Sequence, residues 1–127
     1  MTTLGRTGLL EADLHIITGT TNTIRLQWLR NILQADGNRY AQPVDLSEYT
    51  PHCQLRRDGH LINDLSDDIT TDKTGHITIH LTARRSLELT TGSGAWDLLM
   101  ESPNGETTRV VYGNWRITQA VSRKEEP

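Results

Sequence analysis

One segment constrains the fold more than any other. From His76 to Thr82 the chain reads His-Ile-Thr-Ile-His-Leu-Thr, with polar and apolar residues in strict alternation. Successive side chains of a strand point to opposite faces, so Ile77, Ile79 and Leu81 line one face and His76, Thr78 and His80 the other. A helix would scatter both sets around its circumference. The same period returns in Thr21–Arg30, with Ile24, Leu26 and Trp28 against Thr23, Arg25 and Gln27. It recurs in His52–Arg57, in Ala95–Glu101 with Trp96, Leu98 and Met100 in phase, and in Glu106–Tyr112. After an interruption at Gly113, Asn114–Val121 puts Trp115, Ile117 and Val121 in phase. Between these runs stand the turn signals Asp36-Gly37-Asn38, Asp58-Gly59 and Pro103-Asn104-Gly105.

One stretch departs from the pattern. Thr82 is placed to cap a short helical turn over residues 83–89, with Leu87 folding back onto the sheets, and Gly92-Ser93-Gly94 ends it. About seven short strands, with a turn signal every roughly 8–12 residues, predict an all-β, antiparallel β-sandwich. Residues 1–12 lack alternation and are read as an N-terminal arm, residues 13–121 as the sandwich domain, and residues 122–127 as a C-terminal tail.

Composition sharpens this reading. The 127 residues suit one domain, and an apolar fraction of 35% without any Phe calls for a lean, mostly aliphatic core. The 18 threonines suit pleated, half-exposed surfaces. No apolar run approaches the roughly 18 residues of a membrane-spanning helix, and the first residues lack the apolar centre of a signal peptide. A single cysteine, Cys53, excludes an internal disulfide and suits a reducing cytosol. The net charge of −3 gives no whole-chain attraction to nucleic acid or to anionic membrane. Neither is expected as a partner.

The residues offer little chemistry. His76 and His80, four apart on one strand, stand roughly 13 Å apart by strand rise and cannot share an ion. His52 and His60 flank a hairpin without zinc-like spacing, so solvated strand-face histidines are the reading. The acidic stretch from Asn63 to Asp72 lacks the glycine and distal glutamate of a calcium loop and reads as a charged surface loop. Cys53 shares parity with Leu55 and reads as a small buried hydrophobe. The three tryptophans fall on apolar faces and read as core, which leaves Tyr40 and Tyr49, in loops, as the aromatics free for a ligand. No nucleophile elbow, phosphate loop or dinucleotide fingerprint occurs. The expectation is a protein that is not an enzyme, with no cofactor and no metal.

The order of segments is more specific than any one of them. Asp13-Leu-His-Ile-Ile leads into Thr-Asn-Thr-Ile-Arg-Leu-Gln-Trp28, then Asp36-Gly37, Pro43-Val-Asp-Leu-Ser-Glu-Tyr-Thr50 and Cys53-Gln-Leu-Arg-Arg57. Gly75–Ala83 follows with its short helix, then Gly94-Ala-Trp-Asp-Leu-Leu99 and Ser102-Pro-Asn-Gly-Glu-Thr-Thr-Arg-Val-Val-Tyr-Gly113. Over about residues 13–122 this succession resembles small immunoglobulin-like β-sandwich proteins of tailed bacteriophages. It is similar to the N-terminal domain of phage baseplate upper proteins, which fasten receptor-binding fibres to the tail. The stretch between Asp36-Gly37 and Pro43 is longer than that pattern, so a different hairpin is expected there. No coiled coil or fibre follows the sandwich, so contact with the fibre or another shell protein is expected through the surface.

The resemblance implies a structural virion protein, present in multiple copies and held by protein–protein contacts at the baseplate or tail-fibre attachment. The alternatives are a capsid cement or decoration protein on the head and a glycan-binding adsorption module. Partners are then other tail, baseplate, fibre or capsid subunits, met in the host cytoplasm during assembly. Candidate contact residues are Leu4, Leu9 and Leu10 of the arm and the two basic doublets, Arg56-Arg57 and Arg84-Arg85.

Overall fold

The computed structural model describes residues 2–4 and 10–122. Eleven strands and one short helix follow in the order β1 (Thr2–Leu4), β2 (Leu10–Glu11), β3 (Leu14–Thr18), β4 (Asn22–Leu33), β5 (Arg39–Pro43), β6 (Thr50–Arg57), β7 (His60–Asp64), β8 (Ile69–Thr71), β9 (His76–Leu81), α1 (Ala83–Ser86), β10 (Gly92–Glu101) and β11 (Thr107–Gln119). They form two sheets. One has the order β1-β4-β9-β8, with β5 paired to the far half of β4; the other has the order β2-β11-β10-β6-β7, with β3 also on β11. Most pairs are antiparallel; β1 on β4 and both β2 and β3 on β11 are parallel. The fold is an all-β, immunoglobulin-like sandwich with a single short helix.

The alternating faces meet in one core. Ile77, Ile79 and Leu81 of β9 and Leu26 and Trp28 of β4 face Cys53, Leu55, Trp96, Leu98, Met100, Trp115 and Ile117 of the second sheet, all buried. Each of the two tryptophans in that second sheet also places its polar edge. The indole N–H of Trp96 donates to the Ala12 carbonyl at 3.0 Å, and that of Trp115 to the Arg56 carbonyl at 2.9 Å. A buried indole thus keeps its hydrogen bond while its ring fills the core.

Several details depart from expectation, each for a packing reason. Gly113 does not interrupt a strand: β11 runs through it, and the Ala12 carbonyl lies where a side chain would stand. The helix is one turn, Ala83–Ser86, capped as expected by Thr82, whose side-chain oxygen accepts from the Arg85 N–H. Tight turns continue it to Leu89. Leu87 does not fold back; it is 60% exposed, and Leu89, 7% exposed, enters the core instead. Val121 lies past the end of β11 and is fully exposed. The acidic stretch read as a loop contains a 3-10 turn at Ser66–Asp68 and β8, whose Ile69 packs against the core.

Candidate functional site

The sequence-derived contact residues do not come together. Arg85 is committed inside the fold. Its guanidinium grips the Asp68 carboxylate through two nitrogens, at 3.1 Å and 3.0 Å, reaches Glu88 at 3.0 Å and donates to the Asp64 carbonyl. These bonds tie α1 to the 3-10 turn, and the partner carboxylates hold its pKa above the ordinary arginine value. Arg56 donates to the Gln54 side chain and the Gly59 carbonyl, bracing the β6–β7 hairpin, while the exposed Arg57 carries its guanidinium beside Gly92. Arg84 is exposed on α1. Leu10 is half-buried in β2, opposite Val111. Leu4 belongs to β1 through its backbone, opposite Trp28, and Leu9 lies outside the described residues.

Four of the five histidines meet neighbours on the sheet surfaces, and His76 meets the Thr74 hydroxyl as well as a carboxylate. His52 meets Glu101 at 2.9 Å, His76 meets Asp72 at 3.1 Å, His80 meets the Thr23 hydroxyl at 2.9 Å, and His15 meets the Thr118 hydroxyl at 3.3 Å. Among the described residues no three His, Cys, Asp or Glu side chains converge to hold a metal ion. Cys53 is fully buried, and burial among the negative charges of Asp64, Asp97 and Asp68 pushes its thiol pKa far up. A thiol held protonated in this way is a poor nucleophile.

Asp72 is the most heavily bonded carboxylate. It accepts from the backbone N–H groups of Thr74 and His76, at 2.9 Å and 3.0 Å, from the Thr74 hydroxyl and from the His76 ring. These bonds lower its pKa to about 2 and fix the β8–β9 turn. The turn sits where Trp28 donates its N–H to Gly75 and accepts from the Val44 N–H. At that residue β4 changes neighbours, from β9 to β5.

What lies beyond that change is the most exposed structured feature of the chain. The β4–β5 hairpin runs from Leu29 to Pro43, and every residue from Arg30 to Pro43 is exposed except Ile32, which is half-buried. Leu33 is 60% exposed and Tyr40 42%. Trp28 and Tyr49, ring edge to ring face at 5.9 Å between centroids, close the core at the base of this hairpin. Tyr49 is therefore packed against the core rather than free, and Tyr40 sits on a strand rather than in a loop. By parity Ile32 and Tyr40 occupy the side of β4 that carries Leu26 and Trp28. That side extends past the core without a facing sheet.

The outer face of the second sheet is internally matched along β10 and β11, and it exposes Ile17 of β3 at 39% and Leu61 of β7 at 47%. Arg109 pairs with Asp97 at 3.4 Å and lies over the Tyr112 ring at 4.5 Å, with the half-buried Leu99 opposite both Arg109 and His52. Such cross-strand pairs stabilise the sheet as they stand.

No protein-family model matches the chain, and no curated protein matches it. Among solved structures it is similar to the N-terminal domain of phage TP901-1 ORF48, at 12% identity and a TM-score of 0.47, over 92% of this chain and 97% of that one. No helix of the described residues is long and apolar enough to cross a membrane.

The sequence reading missed Ile32 and Leu33, apolar residues that β4 carries beyond the core. Their signal was an apolar pair continuing a strand beyond Trp28, its last buried residue, into an Asp-Gly turn.

Proposed function

We propose that this chain is a structural virion protein of a tailed bacteriophage, working through protein–protein contacts at the baseplate or the fibre attachment. The observation that carries the contact role is the projecting β4–β5 hairpin, which holds Leu33 and Tyr40 in water. A two-stranded hairpin is marginal in water by itself, and this one carries apolar groups on both faces, Ile32 and Tyr40 on one and Leu33 on the other. Tyrosine and arginine, both present here as Tyr40, Arg30 and Arg39, are the residue types that anchor interfaces. The phage address comes from the order of sequence segments over residues 13–122, and the long stretch between Asp36-Gly37 and Pro43 falls on this hairpin. Arg57, Arg84 and the N-terminal segment are secondary contacts in this reading.

Quantitative mass spectrometry of purified particles tests it, with the major capsid protein as the copy-number standard. A few to a few dozen copies per particle are expected. Hundreds of copies would move the protein to the head as a cement subunit, and absence from particles would overturn the virion assignment.

A further inference from the structure

The β4–β5 hairpin carries an open strand edge, and its bonding pattern says which groups face outward. The Val44 N–H bonds the Trp28 carbonyl, and the Gln34 N–H bonds the Asn38 carbonyl. In an antiparallel ladder the hydrogen-bonded pairs recur every second residue, so Tyr40 and Gln42 turn their backbone groups toward Ile32 and Arg30. Arg39, Ala41 and Pro43 turn theirs away from β4, and among the described residues no other strand pairs with β5.

We propose that this edge pairs with the same edge of a second copy, across a two-fold axis through Ala41, joining two hairpins into one continuous four-stranded sheet. The sequence of β5 is self-complementary in that register. Ala41 of each copy donates to Ala41 of the other, and each Arg39 N–H donates to the Pro43 carbonyl opposite. Pro43 has no N–H to lose, and it caps the pairing so that the sheet does not extend further. Arg39 faces Pro43 rather than another charge, whereas pairing centred on Arg39 would set like charges opposite each other. On one face Ile32 and Tyr40 then continue into Gln42 and Arg30 of the second copy, giving Tyr40 a neighbour on each side. A closed two-fold contact uses the β5 edge once in each copy and leaves no free edge on β5. The inference does not depend on the virion reading, since it concerns the isolated chain.

The test combines sedimentation with one substitution. Ala41→Pro removes an outward N–H and leaves the bonds to β4 in place, at an edge position that tolerates proline. The wild-type protein is expected to rise with concentration from one copy's mass toward two, and Ala41→Pro to stay at one, with the circular dichroism of the wild type and the melting temperature of dilute, monomeric wild type. Hydrogen exchange on the wild type gives a second measurement that needs no variant. The Arg39 and Ala41 amides should gain protection as concentration rises. A wild type that stays monomeric with these amides unprotected overturns the proposal and leaves the edge for a different protein. A dimer that persists in Ala41→Pro also overturns it.

Discussion

Ser86 shows how much of this fold rests on single polar atoms. It is fully buried; its hydroxyl accepts from the Gly19 N–H at 2.9 Å and lies at 3.0 Å and 2.8 Å from the carbonyls of Thr20 and Ala83. It joins the one helical turn to the β3–β4 connection. Ser86→Ala leaves the half-buried Gly19 N–H without that acceptor, and a loss of about 1 kcal/mol is expected in denaturant unfolding. Asn63 does similar work. Its side-chain amide exchanges two hydrogen bonds with the backbone of Thr90, as a neighbouring strand would. Asp72 gives the chain an acid limit. Its folded pKa of about 2 lies below the ordinary value of 3.8, so its bonds add stability above about pH 4, and that contribution is lost as pH falls through 2. Melting temperature measured from pH 5 to pH 2 should fall for the wild type and fall less steeply for Asp72→Asn, which starts from a lower value at neutral pH.

At the scale of elements, β4 belongs to two environments. Its first half, Asn22–Gln27, is a sandwich strand paired with β9; its second half, Leu29–Leu33, is one leg of the projecting hairpin. Burial follows that division, because Leu26 and Trp28 have a facing sheet and Ile32, on the same side, does not; Leu33 lies on the outward side. Replacing Leu33 and Tyr40 together by serine should therefore leave unfolding free energy within about 0.5 kcal/mol of wild type. The same variant should be depleted from particles relative to wild type when both are supplied together. Equal incorporation would remove the hairpin from the assembly contacts. The opposite case is α1, four residues long and too short to persist alone. Arg85, reaching across to Asp68, keeps it in place, and the charge there is already matched.

The molecule as a whole is closed by its N-terminal segment. Thr2–Leu4 lies on β4 in one sheet, and Leu10–Glu11 and Leu14–Thr18 lie on β11 in the other. The ladders that join β3, β4, β6, β9, β10 and β11 use none of residues 1–9, so removal of these residues is expected to leave a folded sandwich with a lower melting point. Loss of the truncated protein from particles would then identify the arm as an assembly element, and normal incorporation would confine it to the sheet edge.

The sequence by itself determined the class of fold. Alternation at a period of two is a local property, and the positions of Ile77, Ile79, Leu81, Leu26, Trp28, Trp96 and Trp115 on buried faces follow from it. Thr82 as a helix cap and Cys53 as a buried residue are legible for the same reason, since neighbours in sequence decide them. Only the tertiary structure decided which alternating runs have a sheet across from them. Ile32 is as apolar as Leu26 and lies on the same side of β4, yet it extends past the end of the core. Leu89 takes the inward place expected of Leu87 because one turn of helix offers a single inward direction, set by where Gly19 and Ser86 meet. Arg85 became a brace when Asp68, distant in sequence, folded beside it. Burial and charge pairing depend on contacts between remote segments, and those contacts are what left the hairpin as the exposed surface.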